Sequence, residues 1–409
     1  MMTDAVRFFH SLSDDSEKYY PIREAFRGFY PSYAASHKVS AVQAKAAACI
    51  SACKTGELGY NVSFCESCGH IRMHASSCNN RSCPNCQAPQ EQKWIMARNS
   101  ELVTGWAYFH SVFTVPFELN DLIYCNQKLL YNLMFSCTSN TLITLCRDRK
   151  YLGATPGIVM VLHTWGQKLN FHPHIHCCLS GGGLTDSGQL AQSRHDGFLI
   201  PKEVVGRVFR GKFLEKLKNY YDKGALSFDG ACRKLRNRYE WKEFIDLLYS
   251  KSWIPFIKET FNGNGNAIKY LARYAYRTAI SNSRICDVGD DSVTFRYKDY
   301  ADNNKQKLKT VTGDEFIRMF LMHILPKGFS RVRFSGYLSN CCKTKKLKLI
   351  HKLKNTVFTP NPIKGKSMAE LMLLLYKRDI CICPECNGNL ILFPRGRPLP
   401  KQYTDCSLT

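Results

Sequence analysis

The sequence predicts a mixed helix–strand protein. Three observations carry that expectation: strand-like runs alternate with helical spacing across residues 105–325, a cysteine- and glycine-rich module precedes them, and a helical segment opens the chain. Alternation of this kind means an α/β or an α+β core, and pattern alone does not choose between the two.

Taken in order, residues 1–50 are rich in Ala, aromatics and Lys, and Ala41–Ala48 has the composition of a helix. Residues 51–90 are short segments broken by turn formers, and Gln90–Leu102 is again helical in spacing. Trp106–Val115, aromatic and β-branched and bounded by Pro116, reads as a strand. Helical spacing of Leu, Tyr, Met and Phe fills 120–147, and a β-rich zone runs from Gly157 to Ser180 before three glycines. Charged helices are expected over 201–250, with another starting near Ala267. Ser292–Arg296 and Lys305–Val311 read as strands, 314–323 as a helix, and Lys327–Lys354 is strongly basic.

The chain has 409 residues, with 57 Lys plus Arg against 33 Asp plus Glu, a formal charge of +24. Such an excess favours a polyanionic partner, because Lys and Arg neutralise phosphates and release their counterions. No apolar run reaches the roughly 18–20 residues that span a bilayer, and Met1-Met2-Thr3-Asp4 does not resemble a signal peptide. A cytoplasmic protein is expected, and in a reducing compartment clustered cysteines argue for metal. Seven of the 20 cysteines fall between Cys49 and Cys86, and three between Cys381 and Cys386.

Cys65-Glu-Ser-Cys68 and Cys83-Pro-Asn-Cys86 form two CxxC turns separated by 14 residues, the pattern of a structural zinc site. Cys53, His70, His74 and Cys78 are further candidate ligands, for a second site or as replacements. Cys383-Pro-Glu-Cys386 is half of such a knuckle, with Cys341 and Cys342 as its candidate partners. Arg72, Arg81 and Lys93 make the module a candidate contact for DNA.

Between Ile158 and Ser180 lie His163, His172, His174 and His176. Side chains alternate faces along a strand, so His174 and His176 point the same way. A hairpin turning at residues 168–169 sets His163 opposite His174, and three imidazoles then converge as a divalent-metal site with open positions. His172 shares their parity and is a fourth candidate. Downstream, Tyr270 and Tyr274 are four apart and share one face of a helix, beside a row formed by Arg273 and Arg277.

His174-Ile175-His176 resembles the HUH motif (histidine, hydrophobic, histidine) of rolling-circle replication initiators, relaxases and single-strand transposases. The whole order is similar to the IS91-type, or Y2, rolling-circle transposases. The matching stretches are Cys53-Lys-Thr, Asn80-Arg81 with Cys83-Pro-Asn-Cys86, Tyr108-Phe-His110 through Pro116, His163-Thr-Trp-Gly-Gln167, His172–His176 and Tyr270–Asn282.

The resemblance implies an α+β fold: an HUH-endonuclease-like core, an antiparallel sheet flanked by helices, preceded by a helical segment and a zinc-ribbon-like module. The implied domains are 1–50 (helical), 51–95 (zinc-binding), 100–325 (catalytic) and 326–409 (basic, with a cysteine knuckle). It further implies that His163, His174 and His176 hold catalytic Mg²⁺ or Mn²⁺, that Cys65, Cys68, Cys83 and Cys86 hold structural Zn²⁺, and that Tyr270 and Tyr274 are nucleophiles. The expected reaction is transesterification on single-stranded DNA at transposon ends and target, through a 5′-phosphotyrosine, by a monomer or dimer associated with the nucleoid when on DNA. Candidate DNA contacts are Arg72, Arg81, Arg273, Arg277, Arg331, Arg333, Lys345 and Lys346. There is no GxxxxGK[ST] loop, in keeping with a reaction that needs no ATP. The rival readings are a non-catalytic zinc-dependent DNA-binding regulator and a histidine-triad nucleotide hydrolase, which His172-Pro-His174-Ile-His176 superficially matches.

Overall fold

The computed structural model describes residues 19–193, 200–259, 272 and 274–393. In chain order the strands are β1 (Tyr60–Cys65), β2 (Ile71–Ala75), β3 (Tyr108–Thr114), β4 (Thr155–Trp165), β5 (Phe171–Leu184) and β6 (Leu190–Gln192). They continue with β7 (Phe256–Glu259), β8 (Ile285–Val288), β9 (Ser292–Asp299), β10 (Lys305–Thr312), β11 (Val332–Gly336) and β12 (Leu390–Leu392). The protein is a mixed α+β structure whose sheets are antiparallel. No helix among the described residues is long and apolar enough to cross a membrane.

Two compact units share the chain. The first takes residues 94–279 and 325–362 and is built on a sheet of order β11-β4-β5-β3-β7, with β6 paired to β5. Alternation along the strands sorts its side chains. Phe109, Phe113, Ile158, Met160, Leu162, Ile175, Cys177 and Leu179 enter one core, covered by helices Gln127–Arg147, Lys202–Asp222 and Arg238–Ser250. Tyr108, Val159, Val161 and Cys178 enter a second core on the other face, with Trp106, Ala272, Ala275, Tyr337, Leu347 and Ile350. The long hairpin β4–β5 turns at Gly166–Asn170, where the Gly166 N–H donates to the Asn170 carbonyl at 3.0 Å. A Cβ on Gly166 would meet the side-chain amide of Asn170, which would have to move to admit one.

The second unit takes residues 1–93, 280–324 and 363–409. Within it, helix Ala41–Ser51 is opened by a capping box between Ser40 and Gln43. Strands β8, β9 and β10 form a three-stranded sheet, and β12, β1 and β2 form another.

The units redraw the expected domain boundaries. Residues 280–324, expected within a 100–325 domain, pack on helix Pro21–Ser36 instead: Phe26 meets Phe320 edge-on at 5.0 Å, and the Phe29 ring fills the space a side chain at Gly313 would need. The expected 326–409 region divides. Its β11 joins β4 as an edge strand, whereas its β12 pairs with β1.

Candidate functional site

On the face carrying Val159 and Val161, β4 also presents His163, and β5 presents His174 and His176. The register sets His163 against His174 and Val161 against His176, as a hairpin turning after Gly166 requires. One ring nitrogen of each of these histidines lies within 4.8 Å of the others. His163 and His176 are buried and His174 is half-buried. Burial pushes all three imidazoles down, His174 to about 4, and their neighbouring imidazoles push in the same direction. They are therefore neutral at ordinary pH, with lone pairs available.

Their tautomers follow from their partners, since a carbonyl can only accept. Nε2 of His163 donates to the Tyr274 carbonyl at 2.7 Å, and Nδ1 of His174 donates to the His172 carbonyl at 2.7 Å. The lone pairs fall on Nδ1 of His163 and Nε2 of His174. Nδ1 of His176 meets Nε2 of His110 at 3.0 Å. His110 stands on β3, which pairs with β5 through Val112–His176, so it is the diagonal neighbour of His176 on the same face. Burial holds His110 at about 4. A lone histidine in a strand is most simply a packed side chain, whereas His110 meets a ring nitrogen of His176. The signal that separates the two roles is the β3–β5 register, which spacing does not contain.

Tyr274, in a short helical run with Ala272 and Ala275, is half-buried over this cluster. Its ring stacks on His176 with centroids 3.8 Å apart, and lies 5.3 Å from His163 and 5.9 Å from His110. Tyr270 and Arg273 lie outside the described residues. His172 contributes its carbonyl to His174, and its ring is not part of the three-nitrogen group.

Among the candidate DNA contacts, Arg277 and Arg331 lie within electrostatic reach of His163, and Arg331 donates to the Arg277 carbonyl at 3.1 Å. Arg333 faces the other way. Its guanidinium sits 4.3 Å above the Phe135 ring and 5.1 Å from Phe329 and bonds to Asn132, so its charge is spent in packing. Lys345 is exposed and Lys346 half-buried on helix Lys343–Leu353. Arg72 and Arg81 are half-buried in the other unit.

The cysteines assemble differently from the expected Cys65, Cys68, Cys83, Cys86 set. Cys53, Cys78, Cys83 and Cys86 form one group and Cys65, Cys68, Cys383 and Cys386 another, the sulfurs within each lying within 4.8 Å of one another. The β1–β2 hairpin is the reason. Cys65 and Cys68 sit at its turn, and the strand ends near Ser76 and Gly59 sit at its open end, where Cys78 follows. At about 3.3 Å per residue, five paired residues separate the two ends by about 15 Å. In the first group Cys53 and Cys78 each approach Cys86 to 3.6 Å. Hydrogen bonds from Cys78, then Cys83 and Cys86, hold the Cys53 thiol far below the ordinary range. His70 and His74 join neither group, nor do Cys341 and Cys342, the expected partners of the C-terminal knuckle; Cys342 bonds to the Ser339 carbonyl.

Comparison with known proteins bears on both units. Residues 157–346 match the family model described as "Putative transposase", and residues 25–115 the one described as "Transposase zinc-binding domain". The chain is 38% identical over 374 residues to "Putative transposase y4qJ" of Sinorhizobium fredii (strain NBRC 101917 / NGR234), covering 90% of this chain and 94% of that protein. It is 27% identical over 348 residues to "Transposase for insertion sequence element IS801" of Pseudomonas savastanoi pv. phaseolicola, covering 83% and 80%. No solved structure matches the chain.

Proposed function

This chain belongs to the IS91-type transposases with a Y2 transposase core, and from that premise we propose that it cuts and rejoins single-stranded DNA through a tyrosine–phosphate ester. The observation that carries the proposal is the stacking of Tyr274 on His176, one of three neutral imidazoles that converge from a single sheet face.

The donor set fits a divalent ion: three neutral nitrogens, two of them fixed in tautomer by backbone carbonyls and the third held by His110. Mg²⁺ or Mn²⁺ bound there supplies neutralisation of the charge on the non-bridging oxygens of the scissile phosphate. The protein's own part is to position and to transfer. Packing on His176 limits the directions in which the Tyr274 ring can present its hydroxyl, and Arg277 and Arg331 attract the DNA backbone. The Tyr274 oxygen bonds to phosphorus as the bond to the 3′ oxygen breaks. The phenolic proton ends on that oxygen, leaving a 5′-phosphotyrosine and a free 3′-OH. The ester retains the phosphodiester's bond energy, so rejoining to a new 3′-OH needs no nucleotide. Tyr270, four residues before Tyr274 in the sequence, is proposed as the second nucleophile. The group of Cys53, Cys78, Cys83 and Cys86 is proposed as the structural zinc site of the N-terminal module, its four thiols matching a closed tetrahedral shell.

The test is incubation of the purified chain with 5′- or 3′-labelled single-stranded oligonucleotides carrying transposon-end sequence, in Mn²⁺. An adduct that survives a denaturing gel, carries the 5′-phosphate side of the break, and is lost in the double variant Tyr270→Phe/Tyr274→Phe is expected. Tight binding with no adduct at any metal concentration would mean a DNA-binding regulator instead.

A further inference from the structure

We propose that the chain holds a second zinc ion, on Cys65, Cys68, Cys383 and Cys386, and that this ion fastens the C-terminal strand β12 to the N-terminal hairpin. Cys383 and Cys386 lie far outside the 25–115 span of the matched zinc-binding domain, and the proposal does not depend on the catalytic reading.

Distances come first. Cys65 and Cys386 sulfurs are 3.4 Å apart and those of Cys68 and Cys383 3.7 Å. A tetrahedral ion with Zn–S bonds of about 2.3 Å sets its ligand sulfurs about 3.8 Å apart. All four cysteines are free thiols.

The second observation is that the two knuckles are copies of each other. The Cys65 N–H donates to the His70 carbonyl at 2.9 Å, and the Cys383 N–H to the Gly388 carbonyl at 2.8 Å, five residues on in both cases. The Cys65 carbonyl accepts from Gly69 at 2.9 Å and the Cys383 carbonyl from Asn387 at 3.0 Å, four residues on in both. Those two residues alone in each turn are left-handed, Gly69 at φ +75° and Asn387 at φ +59°. Two identical turns, each presenting two thiols to the other, make a closed four-sulfur shell. Cys83–Cys86 has no such counterpart, because its second cysteine ends a short 3₁₀ turn.

Third, the knuckles interlock. A Cβ on Gly388 would collide with the Cβ and Oγ of Ser67, so the second knuckle packs directly against the first. Cys65, Cys383 and Leu390 are buried together, and β12 continues the contact by pairing Cys65 with Leu390 and Ser63 with Leu392. A three-residue strand adds few hydrogen bonds, and a free strand end frays. The metal supplies the closure that the strand lacks, as structural zinc does where the polypeptide alone cannot hold a fold.

The test is zinc content of the full chain by native mass spectrometry and elemental analysis. Wild type is expected to carry two zinc ions, Cys383→Ser/Cys386→Ser one, and Cys53→Ser/Cys83→Ser the other one. One ion in wild type, or two retained in Cys383→Ser/Cys386→Ser, overturns the proposal, as does a mass deficit that reports a disulfide among the four. Should the serine variants aggregate, Co²⁺ titration of the metal-stripped wild type decides: thiolate charge-transfer absorption saturating at two ions per chain supports the assignment, and saturation at one refutes it. Neither readout requires DNA cleavage, so failure here is distinct from failure of the transposition chemistry.

Discussion

Replacing His110 by Phe tests the metal reading at a residue that touches neither phosphate nor ion. Phe keeps a ring beside Tyr274 and removes the nitrogen that meets Nδ1 of His176 at 3.0 Å. If His176 coordinates through Nε2, its Nδ1 carries the proton and donates to His110. The variant then leaves a buried N–H without an acceptor, at a cost of about 1–3 kcal/mol. At about 1.4 kcal/mol per tenfold, Mn²⁺ affinity should fall roughly 5- to 150-fold, in line with the roughly 10- to 100-fold typical of partners that orient a ligating histidine. The assay is Mn²⁺ binding by calorimetry, paired with adduct formation across a Mn²⁺ series. The apparent Mn²⁺ requirement should rise while the yield at saturating Mn²⁺ recovers, and His110→Gln, which retains an acceptor, should recover part of the affinity. Wild-type Mn²⁺ affinity in a folded His110→Phe protein would refute the reasoning, because the bond would then orient nothing.

Three further outcomes follow from the same geometry. Phe113→Ala, on the opposite face of β3 and edge-on to Phe209 at 5.0 Å, should cost about 3–5 kcal/mol in urea unfolding and leave the Mn²⁺ affinity of the folded fraction unchanged. Arg333→Ala should lower stability by about 1–2 kcal/mol through its lost stacking on Phe135 without changing the salt dependence of oligonucleotide binding, whereas Arg277→Ala should reduce that log–log slope by about 0.7, read by fluorescence anisotropy. In the metal-free chain, melting temperature should fall as pH drops from about 6.5 toward the folded-state value near 4 of His110 and His174. The sign follows because the unfolded chain binds protons there that the folded one refuses. His110→Phe should make that fall shallower, as calorimetry across pH would show.

Much of this arrangement is legible in the sequence because it is local. Alternation along 158–165 and 172–180, with Gly166 between, is sufficient to set His163 against His174, and the structure has that pair in register. Helices at Ala41–Ser51, Gln127–Arg147 and Lys202–Asp222 likewise follow from composition and spacing over 11 to 21 residues. The role of Arg333 was not legible, because a basic run does not say which face of β11 each residue takes once that strand joins a sheet. Nor was the division of 280–324 from the catalytic sheet, since the partner of helix Gly313–Leu321 lies almost 300 residues earlier, at Phe26 and Phe29.

The cysteines show where local reasoning stops. Spacing joins the nearest two CxxC turns, and it does so by assuming that the chain between them is a loop able to bring them together. Here that chain contains β2, and a strand is a spacer of fixed length. Once β1 and β2 pair, Cys65–Cys68 and Cys83–Cys86 are held at opposite ends of a rigid ladder, and each must find other partners. Cys53 and Cys78 flank the hairpin in sequence and so arrive at its open end with Cys83 and Cys86. The turn end has no cysteines nearby in sequence beyond its own two, and the pair that completes it comes from residues 383–386, carried there by the pairing of β12 with β1. The separate knuckle at the chain's end and the misfit of the expected four-cysteine set are thus one fact: a hairpin too stiff to fold back on itself leaves half a site to be filled from more than 300 residues away.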